Sequence, residues 1–338
     1  MPELPEVETI VKGLRQKIVG KKIKHIEILD KKIIAQNKKK IPEELAEKIV
    51  KTIRRRAKMI VIELSNAKFI FDSPPQAAGN QKSGFQRGDP APLVAVPPRR
   101  DEKGELGGVN FAKQNLPPQF ILIHLKMTGQ LVYRPMHGQI IAGGHPIKGI
   151  GRTLPNKFSR VIFVFNDGSK LYFNDVRRFG WIKLVDQGEF KKIGSELGIE
   201  PLTRQFTVER FKVILARKKN TAIKQVLMDQ KYLVGVGNIY SDEALFAARI
   251  KPTRLAKTLS AVEIKNLWQA IPKILKYSIK HRGTSFNDYI DADGEAGNFI
   301  KYLKVYGREG ESCYGCGGRI TRSKIGGRSS HYCDKCQK

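Results

Sequence analysis

The first apolar pattern along the chain is helical. Apolar residues recur three or four positions apart between residues 7 and 18, which predicts a helix over residues 2–18. Its apolar face consists of Val7, Ile10, Val11, Leu14 and Ile18. Pro2 and Pro5 fit only the first turn of such a helix, because proline lacks the amide hydrogen that later turns require. Glu3 and Glu6, three positions apart, then share a face at its N-terminal end.

Residues 22–186 instead show the short apolar runs that are typical of strands. These runs cover residues 59–64, 121–125, 160–165, 170–173 and 181–185. Asn166, Asp167 and Gly168 form a hairpin-turn signal between two of the runs. Because no helical pattern separates the strands, the sequence predicts an antiparallel β-sandwich, and residues 1–186 are expected to form one domain.

One stretch within this domain has no periodicity. Residues 72–118 contain eight prolines and six glycines in 47 positions. Six basic and five acidic residues give this stretch a net charge of +1, so the other 291 residues carry +29. Such a composition predicts a disordered insertion in the sandwich.

The helical period returns after residue 187. Residues 187–200 are expected to form a linker, and residues 201–298 a helical domain. Thr221 is expected to cap a helix that ends near residue 228, and Asn238 to cap a second helix after a glycine-rich turn. Ser260 and Glu263 form a capping box that opens a long helix reaching about residue 280.

Charge is the most unusual property of the composition. The 62 Lys and Arg residues outnumber the 32 Asp and Glu residues, which gives a net charge of +30. This excess favours a polyanionic partner, above all a nucleic acid. No run of about 18 apolar residues occurs, so no membrane-spanning helix is expected. The N-terminal residues lack a secretory signal pattern, and the protein is therefore expected in the cytoplasm.

All four cysteines lie in the last 26 residues of the chain. Cys313 and Cys316 form one Cys-x2-Cys pair, and Cys333 and Cys336 form the second after sixteen intervening residues. This spacing is typical of a four-thiolate zinc site. Two disulfides are the alternative, which an intracellular location disfavours. Residues 299–338 are therefore predicted to be a zinc finger with one structural Zn²⁺, whose cationic hairpin folds around the metal.

Several motifs in order resemble the bacterial formamidopyrimidine-DNA glycosylases, which repair oxidised guanine. The matching segments are residues 1–9, 55–58, 124–129, 175–180, 221–224, 234–240 and 305–308, together with the four cysteines. The resemblance covers the whole chain except the predicted insertion. It implies an α+β multidomain fold with an N-terminal helix and antiparallel β-sandwich, a helix–two-turn–helix domain and a C-terminal four-cysteine zinc finger.

The resemblance also implies chemistry for the first residues. Removal of Met1 would leave Pro2 with a free secondary amine. An α-amino group has a pKa of about 8, against about 10.4 for lysine, so more of it is unprotonated and nucleophilic at neutral pH. The family's course is attack by Pro2 on the sugar C1′ through a Schiff base, then β- and δ-elimination that nicks the strand. Glu3 is implied as the acid and base of these steps.

Two cations are implied to assist the eliminations. By resemblance, Lys58 contacts the phosphates beside the lesion and assists β-elimination. Arg328 matches the arginine at the tip of the family's zinc-finger hairpin, where it would bind flanking phosphates and donate a proton in δ-elimination. Taken without the resemblance, Lys58 would be a solvated cation and Arg328 a generic phosphate contact.

A base inside a duplex must be flipped out before Pro2 can reach its sugar. Met127, Arg177 and Phe179 match the family's intercalating side chains, which fill the vacated space. The expected contacts to phosphates are His124, Lys224, Asn238 and Tyr306. The segment 283–298 matches the loop that closes over the flipped base. The implied partner is damaged double-stranded DNA, bound by a monomer.

Two positions depart from the family pattern, and two alternative functions stay open. Asn220 and Phe158 stand where the family often has a DNA-contacting lysine and histidine, which puts DNA affinity in doubt. One alternative is an endonuclease VIII-like glycosylase for oxidised pyrimidines, but Leu4 and the intercalating residues favour the purine enzyme. The other is a zinc-finger DNA-binding protein without catalysis, which would lack Glu3 or a processed Pro2.

Overall fold

The chain opens with helix α1 (Leu4–Ile18), as the apolar spacing predicts. The computed structural model describes residues 1–35, 41–66, 119–137, 141–144, 153–284 and 297–338. The predicted apolar face of α1, from Val7 to Ile18, is fully buried. Leu4, one turn earlier, packs in a different core, among residues of the C-terminal helices. Helix α1 therefore belongs to both halves of the fold.

Two antiparallel sheets form the predicted sandwich in the described residues. The first sheet has the strand order β2 (Ile49–Arg56), β3 (Met59–Ser65), β4 (Gln119–His124) and β9 (Trp181–Val185). The second has the order β1 (Ile23–Ile28), β7 (Ser159–Phe165), β8 (Lys170–Asp175), β5 (Gly129–Arg134) and β6 (Ile141–Gly144). A short helix, α2 (Ile41–Leu45), lies between β1 and β2 in the sequence. Apolar residues from both sheets and α1 share one core, which confirms the sandwich.

The C-terminal half is helical, and its last three helices, α5 to α7, have bounds close to those predicted. Its helices are α3 (Gln187–Ser195), α4 (Val208–Arg217), α5 (Ile223–Met228), α6 (Asn238–Ala247) and α7 (Ala261–Lys280). Helix α3 occupies the segment predicted to be a linker. Ser260 and Glu263 form the expected capping box at the start of α7. No helix of the described residues is long and apolar enough to cross a membrane.

Two predicted helix caps are wrong by one residue. Ala222, not Thr221, is the N-cap of α5, and the amide of Ile223 donates to the carbonyl of Arg254. Gly237, not Asn238, is the N-cap of α6. In both cases a distant part of the chain accepts a hydrogen bond from an amide of the first turn, which the helix itself leaves without an acceptor.

The last segment is a two-stranded hairpin of β10 (Ile320–Ile325) and β11 (Arg328–Cys333). Its small core includes Val305, Ile320 and two cysteines, and Phe246 of α6 packs against it. The hairpin is thereby docked on the helical half. The predicted insertion 72–118 and most of the loop 283–298 lie outside the described residues.

Candidate active site

The glycine-rich turn before α6 receives the N-terminus of α1. The amide of Leu4 donates to the carbonyl of Gly235 at 3.0 Å. A Cβ atom at Gly235, where φ is +85°, would lie only 2.6 Å from the Leu4 side chain. Glycine is therefore needed here both for its backbone conformation and for space. The turn fixes the position of the first three residues of the chain.

Glu3 caps a helix that begins in the other half of the chain. Its Oε1 atom accepts a hydrogen bond of 3.0 Å from the amide of Ile239, in the first turn of α6. This carboxylate takes the place of the capping side chain that Gly237 lacks. The positive end of the α6 dipole favours a negative charge at this position. The buried Oε2 atom of Glu3 has no hydrogen-bond partner among the described residues.

Lys58 meets Glu3 at the same glycine. A Cβ atom at Gly237 would lie 2.5 Å from Oε1 of Glu3 and 2.6 Å from Nζ of Lys58. Both side chains are more than nine-tenths buried. Burial lowers the pKa of Lys58, whereas the nearby carboxylate of Glu3 acts to raise it. Because Lys58 is buried, the alternative that it is merely a solvated cation is excluded.

The turn that carries Lys58 is held by a carboxylate from the segment between the two halves. Ala57, whose φ is +55°, donates its amide hydrogen to Oε1 of Glu200 at 2.6 Å. Arg55 forms ion pairs with Glu200 at 2.7 Å and with Glu8 at 2.9 Å. Arg56 pairs with the same Glu200 carboxylate at 3.2 Å. These basic residues therefore position Lys58 and do not form a free cationic surface.

Glu6 connects the N-terminus with the base of the loop that follows α7. Its Oε2 accepts from the amide of Glu3 at 2.8 Å, and its Oε1 accepts from the amide of Thr284 at 2.9 Å. The hydroxyl of Tyr240 also donates to Oε1. Burial and the charge of Glu3 together raise the pKa of Glu6. Three donors from three parts of the chain make Glu6 a structural centre of the site.

A cleft of about 500 Å³ opens at this point. Pro2 and Glu6 line it from one side, Thr284 and Tyr306 from the helical half, and Arg322 and His331 from the hairpin. The amino group of Met1 is buried here, and burial lowers its pKa. The cations of Lys58 and Arg328 lower it further, whereas the two carboxylates oppose them. The structure thus brings Glu3 and Lys58 together beside the N-terminus, and the charge of Arg328 acts on the same amino group.

The predicted intercalating residues lie on two neighbouring loops. Met127 follows β4, and Arg177 and Phe179 follow β8. All three side chains are exposed, so the two apolar ones, Met127 and Phe179, are not part of a core. The guanidinium of Arg177 lies 4.7 Å from the ring centre of Phe179. The loops are adjacent because the strands that flank them pair, with Gly129 opposite Asp175.

The structure corrects the prediction that Lys224 contacts a phosphate. Its side chain is fully buried, and Nζ lies 2.7 Å from Asp242 Oδ1 and 2.8 Å from the carbonyl oxygen of Ser329. Asp242 also accepts hydrogen bonds from Ser330 Oγ and the His331 amide, both at 2.8 Å. A cation used in this way cannot reach a phosphate, so this prediction is wrong. Lys224 instead ties α5 and α6 to β11, directly beside Arg328.

The other three predicted contacts are closer to the surface. Asn238 and Tyr306 lie together beside the cleft, with Asn238 Nδ2 3.5 Å from the Tyr306 hydroxyl. His124 accepts a hydrogen bond on Nδ1 from the amide of Lys126. Burial, aided by the cations of Lys126 and Lys58, lowers the pKa of His124 to about 3. At neutral pH His124 is therefore uncharged, and its contact with DNA stays a prediction.

The four cysteines are arranged as ligands of one metal ion. Their sulfur atoms all lie within 4.8 Å of one another. Sγ separations of 3.8 Å for Cys313 and Cys336 and 3.5 Å for Cys316 and Cys333 far exceed a disulfide bond of about 2.05 Å. Four sulfurs about 2.3 Å from a tetrahedral zinc would be about 3.8 Å apart, which these distances match. The disulfide alternative is therefore excluded.

Comparison with known proteins identifies a common family. The formamidopyrimidine-DNA glycosylase N-terminal domain matches residues 1–81 and 101–182, and the formamidopyrimidine-DNA glycosylase H2TH domain matches residues 197–289. The match passes over residues 82–100, inside the predicted insertion.

Individual relatives agree over their whole lengths. The chain is 37% identical to a formamidopyrimidine-DNA glycosylase of Pelotomaculum thermopropionicum and 35% identical to one of Carboxydothermus hydrogenoformans, covering all of this chain and at least 99% of each relative. Among solved structures, Lactococcus lactis Fpg in complex with DNA containing an abasic site is 27% identical, with a TM-score of 0.74 and 99% of both chains covered. A point mutant of the same Lactococcus protein, bound to DNA containing Fapy-dG, gives a TM-score of 0.75 at 27% identity, covering both chains fully.

Proposed function

The chain belongs to the formamidopyrimidine-DNA glycosylase family of bifunctional base-excision repair enzymes, and we propose that Pro2 is its nucleophile. One observation supports this proposal. Pro2 and Ile239 line the cleft, and the amide of Ile239 binds Glu3, whose carboxylate meets the ammonium group of Lys58 at Gly237. Removal of Met1 frees the Pro2 nitrogen at this cleft. The substrate is an oxidised purine in duplex DNA, in keeping with the Fapy-dG DNA bound by the related Lactococcus protein.

The first step is displacement of the damaged base. The lone pair on the Pro2 nitrogen attacks C1′, the glycosidic bond breaks, and the base leaves with the bonding electrons. Burial lowers the pKa of the Met1 amino group in this structure, and the same surroundings would favour the unprotonated amine of Pro2 once Met1 is removed. Glu3 lies next in the chain and has a buried oxygen available for proton transfer to the sugar. The amine then loses its proton and the sugar ring opens: the C1′–O4′ bond breaks, O4′ takes a proton, and the product is an iminium ion between Pro2 and C1′.

The second stage removes the phosphates. The iminium group withdraws electrons and acidifies the C2′ proton, so loss of that proton expels the 3′ phosphate. Lys58 beside Glu3 stabilises the developing negative charge, and its lowered pKa also suits proton transfer. Arg328 binds the flanking phosphate and assists the following δ-elimination. Water then releases the sugar fragment and regenerates the amine.

Two further elements bind the duplex. Met127, Arg177 and Phe179 enter the space that the flipped nucleotide leaves. The four cysteines hold one Zn²⁺, which supplies structural cross-linking to the hairpin and no chemistry at the cleft. All of these groups come from one chain, so a monomer is sufficient for the reaction.

Replacement of Glu3 tests the proposed chemistry. The variant Glu3→Gln keeps the shape and can still accept from Ile239, but it cannot transfer a proton as a carboxylate does. We expect it to bind a duplex containing 8-oxoguanine with unchanged affinity and to release no base under single-turnover conditions. The exposed Glu43→Gln is the matched control and should behave as wild type. Base release by Glu3→Gln at the wild-type rate would contradict the assignment.

A further inference from the structure

The two loops that carry the intercalating side chains share one buried carboxylate. Asp175, at the end of β8, has no exposed surface. Its Oδ1 accepts from the Thr128 hydroxyl and from the amide of Arg177 at 3.1 Å. Its Oδ2 accepts from the amide of Gly180 at 2.7 Å. Both oxygens are therefore used to hold loop residues and not to pair with a buried cation.

Thr128 joins the loops directly. Its Oγ1 atom donates to Asp175 and also accepts from the amide of Arg177 at 3.0 Å. Thr128 follows Met127 in the first loop, and Arg177 belongs to the second. One hydroxyl therefore fixes the backbone on which both side chains are mounted.

Both loops contain a residue in an unfavourable backbone conformation. Lys126, just before Met127, has φ of +51°, and Arg178, between Arg177 and Phe179, has φ of +58°. Residues other than glycine adopt such angles only where the surroundings impose them. Each strained residue is therefore next in the chain to at least one of the three exposed side chains, in a loop that the Asp175 carboxylate holds.

Two glycines make this arrangement compact. A Cβ atom at Gly180 would lie 3.0 Å from Oδ2 of Asp175 and 2.7 Å from the ring of Phe173. A Cβ atom at Gly129 would lie 2.8 Å from Cα of Leu125. The second loop therefore closes tightly on β8 at Phe173 and Asp175, and the first closes tightly on its own start at Leu125, with no room for another side chain at either glycine.

We propose that Asp175 and Thr128 lock the Met127 loop and the Arg177–Phe179 loop into one preformed wedge. Both are positioning residues, because the Asp175 side chain is buried and the Thr128 hydroxyl is bonded to Asp175 and to the Arg177 amide, so each acts through the loops. The inference rests on the proposed function, in which Met127, Arg177 and Phe179 enter the duplex. A wedge already rigid before binding loses less conformational freedom when it opens the base stack.

The test compares a substrate that needs the wedge with one that does not. Thr128→Val removes the hydroxyl at constant shape, and Thr128→Ser retains it. For 8-oxoguanine in a duplex, we expect single-turnover excision to fall about tenfold or more in Thr128→Val and to stay within about twofold of wild type in Thr128→Ser, since small misplacements cost such factors. For an abasic site in single-stranded DNA, where no stack is opened, both variants should cleave at the wild-type rate.

Controls separate this inference from the proposed function. Thr253→Val makes the same change at an exposed site and should have no effect. If Met127→Ala retains full duplex activity, the proposed role of Met127 in opening the base stack is wrong. If Met127→Ala loses activity and Thr128→Val does not, the proposal that Thr128 joins the two loops is wrong. An equal loss of Thr128→Val activity on both substrates would indicate a general structural role for Thr128 and would also overturn the proposal. Should Thr128→Val fail to fold, the same two rates, excision from the duplex and cleavage of the single-stranded abasic site, are compared in Thr128→Ala.

Discussion

The carboxylate of Glu3 fills the space that a side chain at Gly237 would occupy. A Cβ atom there would lie 2.5 Å from Oε1 of Glu3, and Nζ of Lys58 would be 2.6 Å away. The backbone of Gly237 is extended, with φ of −135°, so lack of space and not backbone strain excludes a larger residue. This glycine lets the carboxylate and the ammonium group reach the first turn of α6 together.

Replacing Gly237 should therefore damage chemistry more than stability. In Gly237→Ala the new methyl group displaces the side chains of Glu3 and Lys58, which can move at modest cost to the fold. We expect single-turnover base release to fall by about 100-fold, the order expected for a displacement of about 1 Å. Gly194→Ala is the control, because nothing lies within 4 Å of the added methyl group. A Gly237→Ala enzyme with wild-type rates would show that this contact has no role in the reaction.

Lys224 should contribute to stability and not to the electrostatic part of DNA binding. Lys224→Ala leaves Asp242 as a buried, unpaired charge, so the free energy of unfolding should fall by about 3–5 kcal/mol in chemical denaturation. The slope of log Kd against log salt should remain that of wild type, since no phosphate contact is lost. The exposed Lys219→Ala should leave the free energy of unfolding unchanged. A reduced salt slope in a fully stable Lys224→Ala protein would restore the original prediction of a phosphate contact.

His124 should make stability depend on pH. Its pKa is about 3 in the folded protein and about 6.5 in the unfolded chain, so the unfolded state binds an additional proton below about pH 6.5. Stability therefore falls as pH falls from 7 to 5, by about 2 kcal/mol from this residue alone. Urea unfolding of wild type and His124→Gln at both pH values isolates the contribution. An equal loss in the two proteins would mean that His124 is protonated in the folded state.

Zinc should be needed for the folding of the β10–β11 hairpin and not for the folding of the sandwich and helical cores. Elemental analysis of reduced protein should find one zinc per chain. Cys316→Ser should release it, loosen β10 and β11 and weaken DNA binding at least tenfold through Arg328, about 1.4 kcal/mol. The helical and sandwich cores are separate from the hairpin core, so most far-ultraviolet circular dichroism should remain. Ser312→Ala, next to the first ligand, should retain the metal. A zinc-free wild-type protein with full activity would refute the site.

The sequence was most informative where function depends on neighbouring residues. Pro2 and Glu3 stand together, the cysteine pairs have a diagnostic spacing, and Met127 lies in a polar turn that argues against a core position. The helical spacing of α1 and the short apolar runs of the sandwich are equally local signals. Each of these can be interpreted without knowledge of the tertiary structure.

Apart from helix α3, which forms in the segment predicted to be a linker, the errors and omissions concern contacts between distant segments. Glu200 holds the turn of Ala57 from 143 positions away, and Ile239 is capped by Glu3 across 236 positions. The prediction that Lys224 contacts a phosphate follows from the resemblance of residues 221–224 to the family's motif. Nothing in the sequence of α5 indicates that Lys224 is buried and paired with Asp242 of α6. Such pairings depend on tertiary structure, which a single sequence does not determine residue by residue.

The most direct test of the central claim is the identity of the nucleophile. Borohydride reduces the iminium ion and should trap the processed enzyme on a duplex that contains 8-oxoguanine. Peptide mass spectrometry should locate the adduct on the N-terminal peptide, at the nitrogen of Pro2, and Pro2→Gly should retain trapping because it keeps an α-amine. An N-terminally acetylated enzyme should give no adduct. An adduct on Lys58 or another lysine, or undiminished trapping after acetylation, would contradict the account.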